Sequence, residues 1–444
     1  MKKTVSSIRI IAFGYALIAI AGTLLLMLPF ASASGNSTDL LSALFTAVSA
    51  SCVTGLVVAN TATQWSIFGQ TVIIILIQIG GLGFMTIATG FSMYLRKQLG
   101  LRHRQIMVES INTDSIGGIS SLVKRIITGT VIFEGAGALL LSAVFIPDFG
   151  FVKGLRYAAF HSISAFCNAG FDILGTEDPY CSFTGYADNI ILNLTVCVLI
   201  LVGGIGFLVW DDILKNKFRF RKYSLHTKTV LTVTALITVI STVLFYIFER
   251  HATNEELGVT GSILASLFDN VTARTAGFNT VDTASLSPAS KALTIILMFI
   301  GGSPGSTAGG IKTTTVAVIA VSTFNGIRRR ESKGLFGRRF EKDAIYKASA
   351  VVFTNLMLAL FGLIAILAIQ PSLELSDTMF EVISAIGTVG MSTGITRDLL
   401  PVSRIIITFL MFCGRVGSVS FALALMEKRS VAPVMNPQER ITIG

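Results

Sequence analysis

The sequence predicts an all-α polytopic membrane protein of four M1–pore-loop–M2 repeats in pseudo-fourfold arrangement. Three observations predict it: the composition, a short pattern that recurs four times, and basic residues confined to alternate loops. Of 444 residues 52% are apolar and 14% charged, with a mean hydropathy of +0.73, well outside the range of soluble domains. Apolar runs of about 20 residues, enough to cross a bilayer core, fall at 8–30, 71–91, 122–146, 190–210, 229–248, 293–321 (interrupted), 348–369 and 405–425. They read as eight spans in four pairs.

Each pair encloses one copy of the pattern. Phe45, Phe160, Phe268 and Phe380 are followed four residues later by Ser or Thr and five later by Ala, in Ser49-Ala50, Ser164-Ala165, Thr272-Ala273 and Ser384-Ala385. A single glycine closes each copy: Gly55, Gly170, Gly277 and Gly390. One glycine after a short helix is a common C-cap; four with this upstream pattern are an internal repeat. A glycine-rich signature follows on each returning helix, in Gly80-Gly81-Leu82-Gly83, Gly203-Gly204-Ile205-Gly206, Gly301-Gly302-Ser303-Pro304-Gly305 and Gly414-Arg415-Val416-Gly417. The units run 1–95, 96–215, 216–330 and 331–430, with a tail at 431–444.

In units one and two these glycines read as close helix packing, since small residues let backbones approach. Unit three differs. Gly301, Gly302, Ser303, Pro304, Gly305, Ser306, Thr307, Ala308, Gly309 and Gly310 hold too many glycines, and a proline, for a regular helix. The helix must break there, and freed backbone inside a membrane needs protein or a water-filled cavity to satisfy it. The break, at 301–313, is therefore expected to face the central hole. Residues 305–313 imitate a phosphate-binding loop, but Ile311 stands between Gly310 and Lys312 and no βαβ context surrounds it.

Net charge is +10, and 26 of the 35 basic residues lie at 2–9, 96–125, 215–228, 328–347 and 428–440. By the positive-inside rule both termini are cytoplasmic and the four repeated loops enter from outside a cell membrane. No stacking aromatics accompany these clusters, so nucleic acid is not an expected partner; the cluster from Arg328 to Lys342 reads as facing lipid headgroups or a docked subunit. The first apolar run is too long for a signal peptide and reads as a spanning helix. Cys52, Cys167, Cys181, Cys197 and Cys413 show neither CxxC spacing nor a disulfide framework.

A short helix from about residue 41 to 51 that enters from outside points its partially negative C-terminal end at the membrane centre. Four such ends attract a cation. The residues up to each glycine can offer backbone carbonyls in place of an ion's hydration shell, and glycine permits the positive φ such a strand needs. The side chains there are Val, Thr, Ala and Asn, without the carboxylate ring of a calcium pore. The pattern suits a dehydrated monovalent cation.

On these residues the chain resembles the Trk/Ktr/HKT superfamily of potassium transporters, and the Ktr-type bacterial membrane subunit in particular, over essentially its whole length. Cys52-Val53-Thr54-Gly55, Cys167-Asn168-Ala169-Gly170-Phe171, Arg274-Thr275-Ala276-Gly277-Phe278-Asn279 and Gly387-Thr388-Val389-Gly390 look like that family's filter strands. The resemblance implies gated potassium uptake, with K⁺ held at Val53, Thr54, Gly55, Asn168, Ala169, Gly170, Thr275, Ala276, Gly277, Thr388, Val389 and Gly390. It places the gate at residues 301–310 with Lys312 and Arg415. It further implies a homodimer, a separate cytoplasmic nucleotide-sensing ring, and stimulation by Na⁺, for which no residue here supplies a site.

The remaining charges need partners. Arg415, mid-membrane, is expected to face the pore as a barrier to cations, or else to pair with Glu134. Lys312 anchors the loop or snorkels toward the cytoplasm, Arg274 braces the third strand from behind, and Glu134 pairs with another helix. His161 and His226 lack metal-ligand companions. A sodium- or proton-coupled symporter is the alternative mechanism. An intramembrane enzyme would need a base near Ser303 or Ser306, and none is found; a non-conducting scaffold would not need four cation-aimed helix ends.

Overall fold

The computed structural model describes residues 7–95, 106–107, 118–176, 179–217, 219–255, 257–328 and 334–417. Lys2, Lys3, Arg329, Arg330 and the tail at 431–444 lie outside the described residues. Among the described residues the chain is helical, and its elements alternate in a fixed order. A long helix (Ser7–Leu26, Ile119–Phe149, Leu225–Glu249, Lys342–Ile369) is followed by a short one (Leu40–Ser51, Phe151–Phe166, Val259–Thr272, Leu375–Gly387). An extended segment then leads to a return helix (Ile67–Leu82, Ile190–Gly204, Pro288–Phe299, Pro401–Val416).

Capping residues in the sequence set several of these starts. Asp39 accepts the Ser42 N–H at the first short helix. Ser66, Asn189 and Ser287 accept N–H groups of Gly69, Leu192 and Ser290 at three return helices. Pro288 and Pro401 stand at the first helical position, where no N–H is required.

Among the described residues the four long helices are the ones long and apolar enough to cross a membrane unaided, and up to six spans result if each bent pair counts as one. Phe13, Leu17 and Leu24 on the first, and Val131, Ile132 and Leu139 on the second, are exposed. The short helices are the buried elements. The recurring Phe45, Phe160, Phe268 and Phe380 are at most 6% exposed, and Ala50, Ala165, Ala273 and Ala385 are fully enclosed. That accounts for both halves of the repeated pattern: the ring fills the helix bundle, and the small methyl suits the enclosed turn beside it.

The return helices correct one expectation. The sequence assigns the glycines of units one and two to packing positions in continuous spans. The chain instead bends by 95° between Ile67–Leu82 and Phe84–Tyr94, and by 94° between Ile190–Gly204 and Phe207–Asn216. The hinges are Gly83 (φ +79°) and Gly206 (φ +100°), a region that side chains with a Cβ avoid. The helical ladder cannot continue through such a residue. Gly417, with φ +91°, ends the fourth return helix in the same way. Packing is real one turn earlier. A Cβ on Gly80, Gly203 or Gly414 would collide with the carbonyl oxygen of Ser51, Phe166 or Ile386, at the C-terminal ends of three short helices. In the third unit no helix is formed from residue 300 to 312.

Candidate functional site

Beyond each short helix the chain turns through one repeated conformation. Val53, Asn168, Thr275 and Thr388, two residues before the repeated glycines, all have positive φ, between 49° and 75°. Gly55, Gly170, Gly277 and Gly390 themselves have φ between 68° and 94°. Three of the four non-glycine residues are β-branched, for which this region costs roughly 1–3 kcal/mol each. The surrounding hydrogen bonds hold them there. The N–H groups of Thr54, Ala169, Ala276 and Val389 donate to the carbonyls of Ser49, Ser164, Thr272 and Ser384 at 2.8–2.9 Å.

The glycines meet in a closed cycle. A Cβ on Gly55 would lie 2.5 Å from the Ala169 carbonyl oxygen, and one on Gly170 would lie 2.7 Å from that of Ala276. One on Gly277 would strike the Val389 oxygen, and one on Gly390 would strike that of Thr54. Each missing side chain is replaced by the carbonyl of the next strand, and the fourth strand returns to the first. Glycine is required here by approach as well as by φ.

The Ser and Thr of the repeated pattern, which the sequence marks without revealing a role, tie each strand to its helix. Ser49 Oγ donates to the Leu56 carbonyl (2.7 Å) and accepts the Gly55 N–H (3.1 Å). Ser164 and Thr272 donate to the Phe171 and Phe278 carbonyls, at 2.8 and 2.6 Å. Ser384 accepts the Gly390 N–H at 3.1 Å. A second layer of struts was missed in the sequence. Glu381, directly after the repeated Phe380 and 1% exposed, accepts hydroxyl protons from Ser392 and from Thr396 (2.8 Å), beyond the fourth strand. His161, the corresponding residue of unit two, bridges the Tyr157 carbonyl and the Ile173 N–H. The available signal was a polar residue next to the same Phe in an otherwise apolar helix.

Residues 300–312 fold beneath this cycle. Thr307 Oγ1 donates to the Phe166 carbonyl and lies 3.1 Å from Asn168 Oδ1, while the Cα of Gly309 packs so closely on the Thr388 hydroxyl that no Cβ fits. Ser303 and Thr307 N–H groups donate to the carbonyls of Gly204 and Gly203, and the Gly305 carbonyl accepts the Phe207 N–H. Ser303 and Thr313 hydroxyls join the two ends of the loop at 2.9 Å. The helical bonds given up at the break are thereby replaced by bonds to unit two.

Both candidate gate cations reach carbonyls. Lys312 Nζ donates to Ala308 (2.7 Å) and Gly309 (3.2 Å) within the loop. Arg415 Nη1 donates to the Thr307 carbonyl at 2.6 Å, and its Nη2 donates to the carbonyls of Gly80 and Gly81. The alternative pairing with Glu134 is not formed; the Glu134 carboxylate accepts from Gln78 Nε2, at 3.0 and 3.3 Å, and from Cys167 Sγ at 3.9 Å. Arg274 points away from the cycle, toward Thr238 (3.3 Å) and Thr234 (3.4 Å) on the third long helix. On the opposite side from the loop a cavity of about 340 Å³ opens, lined by all four glycines and by Asp172, Asp282 and Arg397.

Comparison with known proteins places this geometry in context. A family model described as TrkH, cation transport protein, matches residues 5–432. The potassium/sodium uptake protein NtpJ of Enterococcus hirae is 40% identical, covering 100% of this chain and 98% of its own. The Ktr system potassium uptake protein B of Bacillus subtilis is 41% identical, over 94% of this chain and 93% of its own. Among solved structures, the potassium transporter TrkH of Vibrio parahaemolyticus superposes with a TM-score of 0.77 at 17% identity, over 96% of this chain and 86% of that one. That likeness establishes a shared fold.

Proposed function

The chain belongs to the TrkH family of cation transport proteins, a multi-pass membrane family that is not enzymatic, and on that premise we propose that it carries potassium into the cell through a gated pore. The units at 1–95, 96–215, 216–330 and 331–430 surround one axis in this reading. The observation that carries it is the closed cycle of Gly55, Gly170, Gly277 and Gly390, each held against the carbonyl of the next strand. The carbonyls of residues 53–55, 168–170, 275–277 and 388–390 replace the water of a dehydrated K⁺, and the four short-helix C-termini favour its positive charge. Potassium is the cargo. Both termini face the cytoplasm, in keeping with the placement of the basic loops.

The loop at 301–310, with Lys312 and Arg415, acts as the gate. Its contacts with Asn168 and Thr388 support this reading, because they lie on the inner side of the cycle where an ion would leave. Arg415 holds the loop against the first return helix and sets a positive charge below the exit. The chain pairs with a second copy and is regulated by a separate nucleotide-binding ring, as the resemblance to Ktr-type subunits implies. Inward movement down the membrane potential gains roughly 2.3 kcal/mol per 100 mV, about fiftyfold accumulation, so uptake needs no second ion.

Potassium flux into proteoliposomes at a clamped potential tests the proposal. The wild-type chain should pass K⁺ passively, and Gly277→Ser should abolish the flux. A wild-type chain that moves no K⁺ at any potential overturns the reading. Flux whose direction follows a sodium gradient at fixed voltage would replace the uniport with a symport.

A further inference from the structure

We infer that Arg397 sets the affinity for external cations: its guanidinium, strapped across the outer mouth onto Tyr180, is a fixed positive charge that every incoming ion must pass. The inference rests on the potassium-uptake reading and extends it to the entrance. Arg397 follows the fourth strand and Tyr180 follows the second, and the glycine cycle places those two strands opposite one another, since Gly170 and Gly390 are each in contact with Gly277 and Gly55. The guanidinium carbon lies 4.2 Å from the centroid of the Tyr180 ring, so the contact spans the opening.

The side chain is held as well as placed. Its Nε donates to the Gly394 carbonyl at 3.2 Å, and its own carbonyl accepts from Arg404 Nη2 at 2.8 Å. The preceding Thr396 is fixed by Glu381. A long, flexible side chain is thereby ordered at the surface, where an unrestrained arginine would swing into solvent.

Its charge is not neutralised. Arg397 forms no ion pair with a described residue. Asp172 and Asp282 line the same cavity, but their carboxylates are engaged with neighbouring groups: Asp172 accepts the Leu174 N–H, and Asp282 accepts the Ala284 N–H and the Ser285 hydroxyl. A walled cavity concentrates the field of its charges, so two carboxylates draw cations in while the guanidinium opposes them. The position is exposed, and salt therefore screens it.

The test compares K⁺ uptake by the full chain with that of Arg397→Gln and Arg397→Lys in proteoliposomes, at low ionic strength and again with an impermeant salt added. Arg397→Gln should lower the K⁺ concentration for half-maximal uptake roughly two- to fourfold at low ionic strength and leave the maximal rate unchanged. Added salt should erase the difference, and Arg397→Lys should behave as wild type. A residue that only props the fourth strand predicts something else: a lower maximal rate in Arg397→Gln at every ionic strength. That result, or an unchanged half-maximal concentration, overturns the inference while leaving potassium uptake intact. If the wild-type chain carries no K⁺, the uptake reading has failed separately. The K⁺ dependence of thermal unfolding in detergent then decides, with a lower K⁺ midpoint in Arg397→Gln supporting the inference and no shift refuting it.

Discussion

Replacing Gly170 by Ala tests the glycine cycle at the point where it is most explicit. The new Cβ would stand 2.7 Å from the Ala276 carbonyl oxygen and 3.0 Å from the Gly277 Cα, and ordinary contact begins at 3.4 Å. No flexible side chain is available to yield, because both neighbours are backbone. Alanine at φ +68° also costs about 1–2 kcal/mol in its own right. The strain is relieved only by moving the third strand, and with it the carbonyl proposed to hold the ion. A ligand displaced by several tenths of an ångström stabilises a dehydrated ion less, and a loss of about 1.4 kcal/mol lowers the rate tenfold. Gly170→Ala should therefore reduce K⁺ flux in proteoliposomes by at least about tenfold and shift the bi-ionic potential toward Na⁺. Gly135→Ala is the matched control, since a Cβ there meets nothing within 4 Å. Wild-type flux and selectivity in Gly170→Ala would refute the inference that the four strands crowd one axis.

Other substitutions separate the proposed gate from the frame. Arg415→Ala removes the bonds to Thr307, Gly80 and Gly81 and should speed K⁺ uptake by the chain assayed without the proposed regulatory ring; uptake no faster than the parent's would count against the barrier. Thr272→Val keeps the volume but loses the 2.6 Å bond to Phe278, leaving a buried carbonyl unpaired at about 1–3 kcal/mol; a lowered melting temperature with raised Na⁺ permeability is expected. Glu381→Ala should lower the melting temperature further than Glu381→Gln, which still offers one acceptor to Ser392 or Thr396; equal shifts would show that the two hydroxyls contribute little. With one glycine per unit and four unequal strands, selectivity for K⁺ over Na⁺ should be moderate, and a bi-ionic potential as steep as that of a stringent potassium channel would contradict it.

What was legible in the sequence is what repeats. The Phe, the hydroxyl, the Ala and the glycine each appear four times because each meets the same constraint in four places, and recurrence is visible without coordinates. The third copy has one residue fewer between Phe268 and Gly277 than the others between their Phe and Gly, yet Ala276 still reaches the Thr272 carbonyl. The bends at Gly83 and Gly206 were not legible, because a glycine that packs and a glycine that turns are written with the same letter. Both occur within four residues: Gly80 packs and Gly83 turns. Long-range partners were hidden for another reason. Arg415 and Thr307 are 108 positions apart, and the partners of Glu381, Ser392 and Thr396, lie beyond the fourth strand.

The inequality of the four units has a steric cause. The space below the glycine cycle is bounded by Asn168 and Thr388, by the carbonyls of Gly203 and Gly204, and by Arg415 reaching from the fourth return helix to the first. One loop already contacts units two and four through these groups, with Arg415 tying it to unit one, and a second loop of the same length would have to occupy the same volume. Only one return helix can therefore dissolve into a loop, and the others must stay ordered to supply its partners. The glycine run at 301–310 and the single arginine at 415 are two parts of that arrangement: the loop provides carbonyls with no helical donor, and the arginine provides donors with no helical role. A chain of four identical units could form the cycle, but it could not form this closure beneath it.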